Sequence, residues 1–159
     1  MRKTTMSDIE ALLAEREIIA LAVRYADAID EKDWDRFRTC FTDEVAIDSS
    51  ALRGIPPSTL GVDAWVRRVR SSVEVFEVTL HYLSNQQVTI RGDEASCYSY
   101  MYAQHLRRLD GAEERFVVHG AYTHTMRRTA EGWRISGVKV DFKIRDGVMP
   151  PPLPLAPTV

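Results

Sequence analysis

Two cysteines in 159 residues, Cys40 and Cys97, stand far apart with no CxxC or zinc-type spacing. Thiols so placed read as reduced core side chains rather than a disulfide framework, a redox motif or metal ligands. An excess of charge of one sign is also missing. The formal net charge is −2 with Lys and Arg scattered, so there is no basic stripe for nucleic acid. No apolar run approaches the length of a membrane span. Met1 to Met6 carry two basic residues and no apolar signal core, and Met6 offers an alternative start, so a cytoplasmic location is expected. A Gly-rich phosphate loop, a GxSxG elbow and HExxH are all lacking, and the four histidines come without a carboxylate cluster. No metal is therefore expected. The expected partner is a small molecule.

What is present suits one folded unit: 45% hydrophobic and 28% charged residues are enough to bury a full core at this length. The expected organisation is a flexible N-terminus over 1–6, one domain over 7–148 and a Pro-rich tail over 149–159. Ser7-Asp8-Ile9-Glu10 is a capping-box pattern, and the apolar periodicity that follows to Ile29 predicts a long helix ending at Asp30-Glu31-Lys32. Asp33 caps a short second helix with Trp34, Phe37 and Phe41 at helical spacing. Val45 to Ile47 reads as a brief strand, residues 49–60 as a Ser/Gly/Pro loop, and Val62, Trp65, Val66 and Val69 as a third amphipathic helix.

From residue 78 the period becomes two. Strands are expected over Leu80–Arg91, Glu94–Leu109, Glu114–Arg128 and Trp133–Lys143, turning at Gly92-Asp93, Asp110-Gly111 and Glu131-Gly132. Helices first and a long antiparallel meander afterwards is the α+β order, and a curved sheet closed by three helices encloses a pocket. The tail has five prolines in eleven residues, which excludes a ladder strand or helix and leaves an extended cover or a frayed end.

Leu12, Ile19, Val23 and Ala26 define an apolar arc on the first helix, and Asp30 falls in that arc. A carboxylate facing a core needs a partner, so a cation or donor is expected opposite Asp30. On the long second strand, alternation puts Cys97, Ser99, Met101, Ala103 and His105 on one face and Tyr98, Tyr100, Tyr102 and Gln104 on the other. His81, Leu83 and Asn85 share a face of the strand before it, so His81 and His105 can enter one interior. His119 and His124 have opposite orientations, and at most one faces inside. Plainer readings stand beside these: Asp30 as a helix-end turn residue bonded to loop amides, His81 as a satisfied core histidine, His105 as solvent-exposed, and the tyrosine stripe as sheet packing or an oligomer surface.

The stretch Tyr25-Ala26-Asp27-Ala28-Ile29-Asp30-Glu31-Lys32-Asp33-Trp34-Asp35-Arg36, His81-Tyr82 with Asn85, the strand ending in His105, Gly120 and Gly132-Trp133-Arg134 resemble the SnoaL-like branch of the nuclear transport factor 2-like superfamily. Scytalone dehydratase and hexachlorocyclohexane dehydrochlorinase are members of similar pattern, over roughly residues 8–145. The resemblance implies a cone-shaped α+β barrel whose pocket holds an Asp-His dyad at Asp30 and His81, with a second pocket histidine at His105. It also implies a homo-oligomer formed through the open sheet face. Two departures stand out. The dehydratase's water-holding tyrosines correspond to Ile29 and Ser49. Asp48 lies one position off the base carboxylate of ketosteroid isomerases of the same fold, so that role is not carried over.

On this reading Asp30 fixes the tautomer of His81, and His81 takes a proton from substrate carbon. Elimination (dehydration included), isomerisation or cyclisation follows, with His105 and either Ser99 or Tyr122 serving a developing oxyanion or a leaving hydroxyl. Only protons move, so the chemistry asks for no cofactor. Tyr25, Ser49, Trp65, Leu83, Asn85, Ser99, Met101, Tyr122 and His124 are the expected substrate-binding residues. Leu83, Met101, Val118, Phe142 and Trp65 suggest an apolar or aromatic substrate, such as a polyketide-like or terpenoid-like ring. The rival readings are a non-catalytic ligand-holding or accessory subunit of the same fold and, behind it, water addition or epoxide opening.

Overall fold

The computed structural model describes residues 7–155. The flexible leader expected over 1–6 lies outside these residues, as does the end of the tail. Ser7 accepts from the backbone of Glu10 while Glu10 reaches back to the Ser7 N–H, and this reciprocal box starts helix α1, Asp8–Asp30. At the other end Lys32 takes a left-handed φ of 54°. Its N–H bonds the carbonyl of Ile29, and the N–H of Asp33 bonds that of Ala28, the paired bonds of a Schellman ending. Asp30 is thereby the last helical residue.

The buried stripe of α1 differs from the arc expected. Ala14, Ile18, Leu21, Ala22, Tyr25 and Ile29 face the core, whereas Leu12 and Val23 are exposed. The chain contains two adjacent apolar arcs, and tertiary packing selected the one carrying the aromatic Tyr25. Asp30 therefore stands on the flank of the buried stripe, its side chain 16% exposed, rather than at its centre.

Helix α2, Trp34–Arg38, is capped by Asp33. Phe41, at helical spacing from Phe37, opens strand β1, Phe41–Asp48, instead of continuing the helix. Its ring still packs on Phe37, with centroids 4.9 Å apart, so the hydrophobic contact survived while the backbone did not stay helical. The expected loop over 49–60 also holds structure: a single-turn helix α3, Ser50–Arg53, and a short strand β2, Ser58–Gly61, which pairs antiparallel with β1. Helix α4 spans Val62–Val73. The helices thus number four among the described residues, not three.

Strands β3 (Val78–Arg91), β4 (Glu94–Leu109), β5 (Ala112–Thr129) and β6 (Gly132–Gly147) form the antiparallel meander, and β1 joins β6 in parallel. The sheet order is β2-β1-β6-β5-β4-β3. Register shifts at Ser84/Gln87, His119/Gly120 and Thr125/Met126 are bulges, which bend long strands and give the sheet its hollow side. At one of them Gly120 is obligatory, since a Cβ there would sit 2.1 Å from the carbonyl oxygen of Asp141.

Alternation along β4 and β5 turns Cys97, Met101, Ala103, Phe116, Val118, Tyr122 and Met126 to the hollow side. Helices α1 and α4 close it. Both cysteines are free and buried. The tail crosses α4 in extended form, with Pro150 buried and the N–H of Leu153 donating to the carbonyl of Ser71 at 2.8 Å. It is a cover over its described part. No helix among the described residues is long and apolar enough to cross a membrane.

Candidate active site

The pocket side of α1 ends in Tyr25, Ile29 and, on its flank, Asp30. Strand β3 runs alongside and supplies three donors to this carboxylate. Thr79 donates its hydroxyl to Oδ1 at 2.9 Å, and the backbone N–H of His81 donates to Oδ2 at 2.7 Å. His81 Nδ1 lies 2.6 Å from Oδ1. With both oxygens already accepting, the carboxylate is an acceptor for Nδ1–H, so the neutral ring carries its lone pair on Nε2. The bland alternative for Asp30, loop amides at a helix end, is not what it meets. The donors come from a strand about fifty residues away in sequence.

His105 faces Thr79 across the β3–β4 ladder, one diagonal from His81, and the two imidazoles meet edge to face with centroids 5.3 Å apart. Its Nδ1 lies 3.1 Å from the carbonyl oxygen of Phe116, its cross-strand partner on β5. A carbonyl only accepts, so Nδ1 holds the proton and Nε2 is again a lone pair. Burial first, and the neighbouring His81 second, push the His105 pKa from 6.5 down to about 4. The ring is neutral at physiological pH. It lines the pocket rather than standing in solvent.

The cavity itself measures about 140 Å3. His81, His105, Met101 and Ala103 form its sheet wall with Phe116, Val118, Tyr122, Val140 and Phe142; Tyr25 and Ile29 come from α1. Trp65, Arg68, Val69, Ser72 and Val73 come from α4, Ser49 from the turn after β1, and Met149 from the tail. An engineered apolar cavity of about 150 Å3 holds benzene, so the enclosed space here fits one six-membered ring. Larger, more open grooves exist on the surface. One lies beside Asp48, whose carboxylate is occupied by Ser50 and faces Lys139, but no imidazole lines it.

Of the substrate-binding residues expected from sequence, Tyr25, Ser49, Trp65, Met101 and Tyr122 line this cavity and four do not. Asn85 is exposed with φ 52° in the bulge of β3, because the bulge interrupts the alternation that would have turned it inward. Leu83 packs on the core beyond the cavity wall. Ser99 is fully buried, within 4.0 Å of the Cys97 sulfur, and closed off from the pocket. His124 is fully buried too, stacked on Tyr122 and edge-on to Tyr25, so the two tyrosines stand between it and the cavity. Neither of its ring nitrogens has a protein partner. Desolvation alone lowers its pKa to about 4. His119 is exposed on the opposite face.

Burial pushes the Tyr122 phenol up to about 12, and Tyr25 is likewise raised, by burial first and then by Tyr122. Both stay protonated and can act as donors. Arg68 and Ser72 were missed by sequence reasoning, although the signal was available. They lie three and seven residues past Trp65, on the apolar stripe of α4, the pattern that drew attention to Asp30 on α1.

A bent mixed sheet wrapped around helices to leave a hollow is the cone-shaped α+β fold of the nuclear transport factor 2-like class. Within that class the chain belongs to the SnoaL-like domain family, which it matches over residues 10–139. The uncharacterized protein Rv2910c of Mycobacterium tuberculosis is 30% identical over 136 residues, covering 82% of this chain and 86% of that one. The structure of Kfla4162 from Kribbella flavida is 34% identical with a TM-score of 0.81, over 86% of this chain and 95% of its own. The fold is shared as well with hexachlorocyclohexane dehydrochlorinase LinA Type2, at 15% identity and TM-score 0.75 over 89% and 93% of the two chains. A structure provisionally named as a scytalone dehydratase from Novosphingobium aromaticivorans also shares it, at 18% identity and TM-score 0.75 over 94% and 97%.

Proposed function

We propose that the protein is a cofactor-independent lyase or isomerase in which His81 removes a proton from a carbon of a small cyclic substrate. The observation that carries this reading is the 2.6 Å contact between Asp30 Oδ1 and His81 Nδ1 behind the wall of a ring-sized cavity. Thr79 and the His81 backbone pin the carboxylate, the carboxylate pins the imidazole, and Nε2 is left as the base. General-base help of this kind contributes roughly two to four orders of magnitude in rate. The proton taken by Nε2 is then returned to a departing group, giving elimination, to another carbon, giving isomerisation, or to the alkoxide left when the carbanion adds to a second carbonyl of the substrate, giving ring closure.

The oxyanion that forms on an adjacent carbonyl needs a donor. His105 is unsuited to that part, because its single proton is engaged by Phe116 and its Nε2 can only accept. Tyr122 is suited: it lines the cavity, and its phenol stays protonated. His105 instead accepts a hydrogen bond from a substrate hydroxyl and so orients the ring.

The test is a panel of single-ring β-hydroxyketones followed by the ultraviolet absorbance of the conjugated enone. His81→Gln abolishes turnover with the fold intact, and Asp30→Asn retains binding while turnover falls. A His81→Gln protein that keeps its rate refutes the assignment. The fold neighbours named as a dehydrochlorinase and, provisionally, a dehydratase are consistent with proton abstraction followed by loss of a leaving group. We also propose that the outward sheet face, where Leu80, Tyr82, Tyr100 and Ile144 are exposed, pairs copies of the chain into a homo-oligomer.

A further inference from the structure

Helix α4 presents to the cavity the residues Trp65, Arg68, Val69, Ser72 and Val73, a spacing that makes them one helical face. Trp65, Val69 and Val73 suit an apolar wall, and Ser72 spends its hydroxyl on the helix backbone. The fifth is a half-buried guanidinium. Among the described residues, the other half-buried arginines reach a carboxylate: Arg36 to Glu31, Arg107 to Glu114 and Arg134 to Glu131. Arg16, Arg24, Arg67 and Arg91 point into solvent. Arg68 does neither. No carboxylate pairs with it among the described residues, and Nη2 donates instead to Ser49 Oγ at 3.3 Å.

That one contact consumes little of a guanidinium's capacity, which is five N–H donors in a planar fork matched to a carboxylate. Ser49 lines the same cavity and accepts from Arg68, so its own hydroxyl proton is still to be given. Ser72 Oγ bonds the backbone carbonyl of Arg68, which ties the two turns of the helix together beneath the guanidinium. The cavity thus has donors on its α4 side, from Arg68 and Ser49. On its sheet side, His81 and His105 present ring lone pairs, which are acceptors. Such a distribution selects a ligand that is anionic at one end and carries an acidic C–H or a hydroxyl at the other.

We infer that Arg68 and Ser49 form an anion-recognition site, and that the substrate is a single-ring compound bearing a carboxylate held by their N–H and O–H groups. This deepens the proposed function, since it rests on the cavity being the substrate pocket. Charge-assisted bonds from arginine to a carboxylate are about twice as strong as neutral ones. Anchoring by this pair would fix the register of the ring against His81, which is the step that converts a reactive carbon into a positioned one.

The probes are benzoate and benzyl alcohol, which share a ring that fits the cavity and differ in charge, titrated into the protein by calorimetry and by amide chemical-shift changes. Benzoate binds saturably and more tightly than benzyl alcohol. Arg68→Gln weakens benzoate by about 10- to 100-fold and leaves benzyl alcohol unchanged. Arg68→Lys, which keeps charge but loses the fork, falls between. Ser49→Ala weakens benzoate several-fold with the arginine intact, and serves as the test if the glutamine variant does not fold. Equal benzoate affinity in the folded Arg68 and Ser49 variants overturns the site, as does the absence of saturable benzoate binding or of any preference over benzyl alcohol. His81→Gln separates the two conclusions: benzoate binding that survives there alongside unchanged turnover sinks the base assignment and leaves the anion site standing. Lost turnover with no benzoate preference does the reverse.

Discussion

Replacing His124 by Phe should flatten the acid limb of the stability curve, and the size of the effect follows from burial. His124 has no exposed surface, neither ring nitrogen has a protein partner, and its folded pKa is about 4 against an ordinary 6.5. Because the folded value is depressed, the unfolded chain binds the proton first as pH falls. Stability is therefore full above about pH 6.5 and is lost on the way down to about pH 4. A proton bound only by the unfolded state contributes about 1.4 kcal/mol per pH unit, so this imidazole costs about 2 kcal/mol between pH 7 and pH 5. His105, with the same direction and a folded pKa of about 4, adds a second contribution over the same window.

At pH 7 the Phe substitution removes an unsatisfied buried donor, a gain of about 1–3 kcal/mol, and slightly overfills a packed site, a loss of about the same size. The change at one pH therefore decides nothing, whereas the slope is insensitive to any constant packing term. Urea unfolding at half-unit steps from pH 7.5 to 4.5 gives that slope directly. His124→Phe reduces the wild-type slope between pH 6 and 5 by roughly one proton's worth, and His105→Phe does likewise. Identical slopes in wild type and His124→Phe would mean that the imidazole is hydrated or paired in the folded protein, and the argument from burial would fail.

Thr79→Val removes a buried hydroxyl donor from the Asp30 carboxylate and lowers stability by about 1.5–3 kcal/mol, with Thr79→Ser restoring most of it; thermal melts decide, and an unshifted midpoint contradicts the bond. Gly120→Ala forces a methyl against the backbone of Asp141 and Phe142, which cannot swing aside, and costs about 1–3 kcal/mol or more; a melt within error of wild type would refute the close approach. Tyr82→Glu with Tyr100→Glu puts charge on the outward face and lowers the solution mass measured by light scattering, while an unchanged mass places any oligomer contact elsewhere. Asp30→Asn, read by nitrogen-15 shifts of the His81 ring, shifts the population away from the Nε2-lone-pair tautomer; an unaltered tautomer means that the carboxylate does not set it.

Local physics made much of this protein readable in one dimension. The capping box at Ser7, the two-residue period of the long strands and the Gly and Asp turns between them fixed helix α1 and the meander to within a few residues. The same alternation placed Met101, Ala103 and His105 on the hollow side. Where a bulge intervened the rule failed, as at Asn85, because one extra residue reverses every side chain beyond it and leaves little mark in composition. Residues 49–60 look like loop in the sequence because a single helical turn and a four-residue strand are too short to show a period. Arg68 interrupts the apolar stripe of α4 as a charged residue, so its position was as legible in the sequence as that of Asp30.

Sequence alone determined which residues were able to carry chemistry: an acidic group at a helix end, imidazoles on strands, and apolar walls around them. Pairing across the chain decided which of them do meet. The partner of Asp30 lies 51 residues away, the tautomer of His105 is set by a carbonyl on the next strand, and His124 is shut behind two tyrosines. Such relations depend on register, bulges and which of two apolar arcs a helix buries. Those are settled by burying the whole core at once, through contacts that no local stretch of sequence contains.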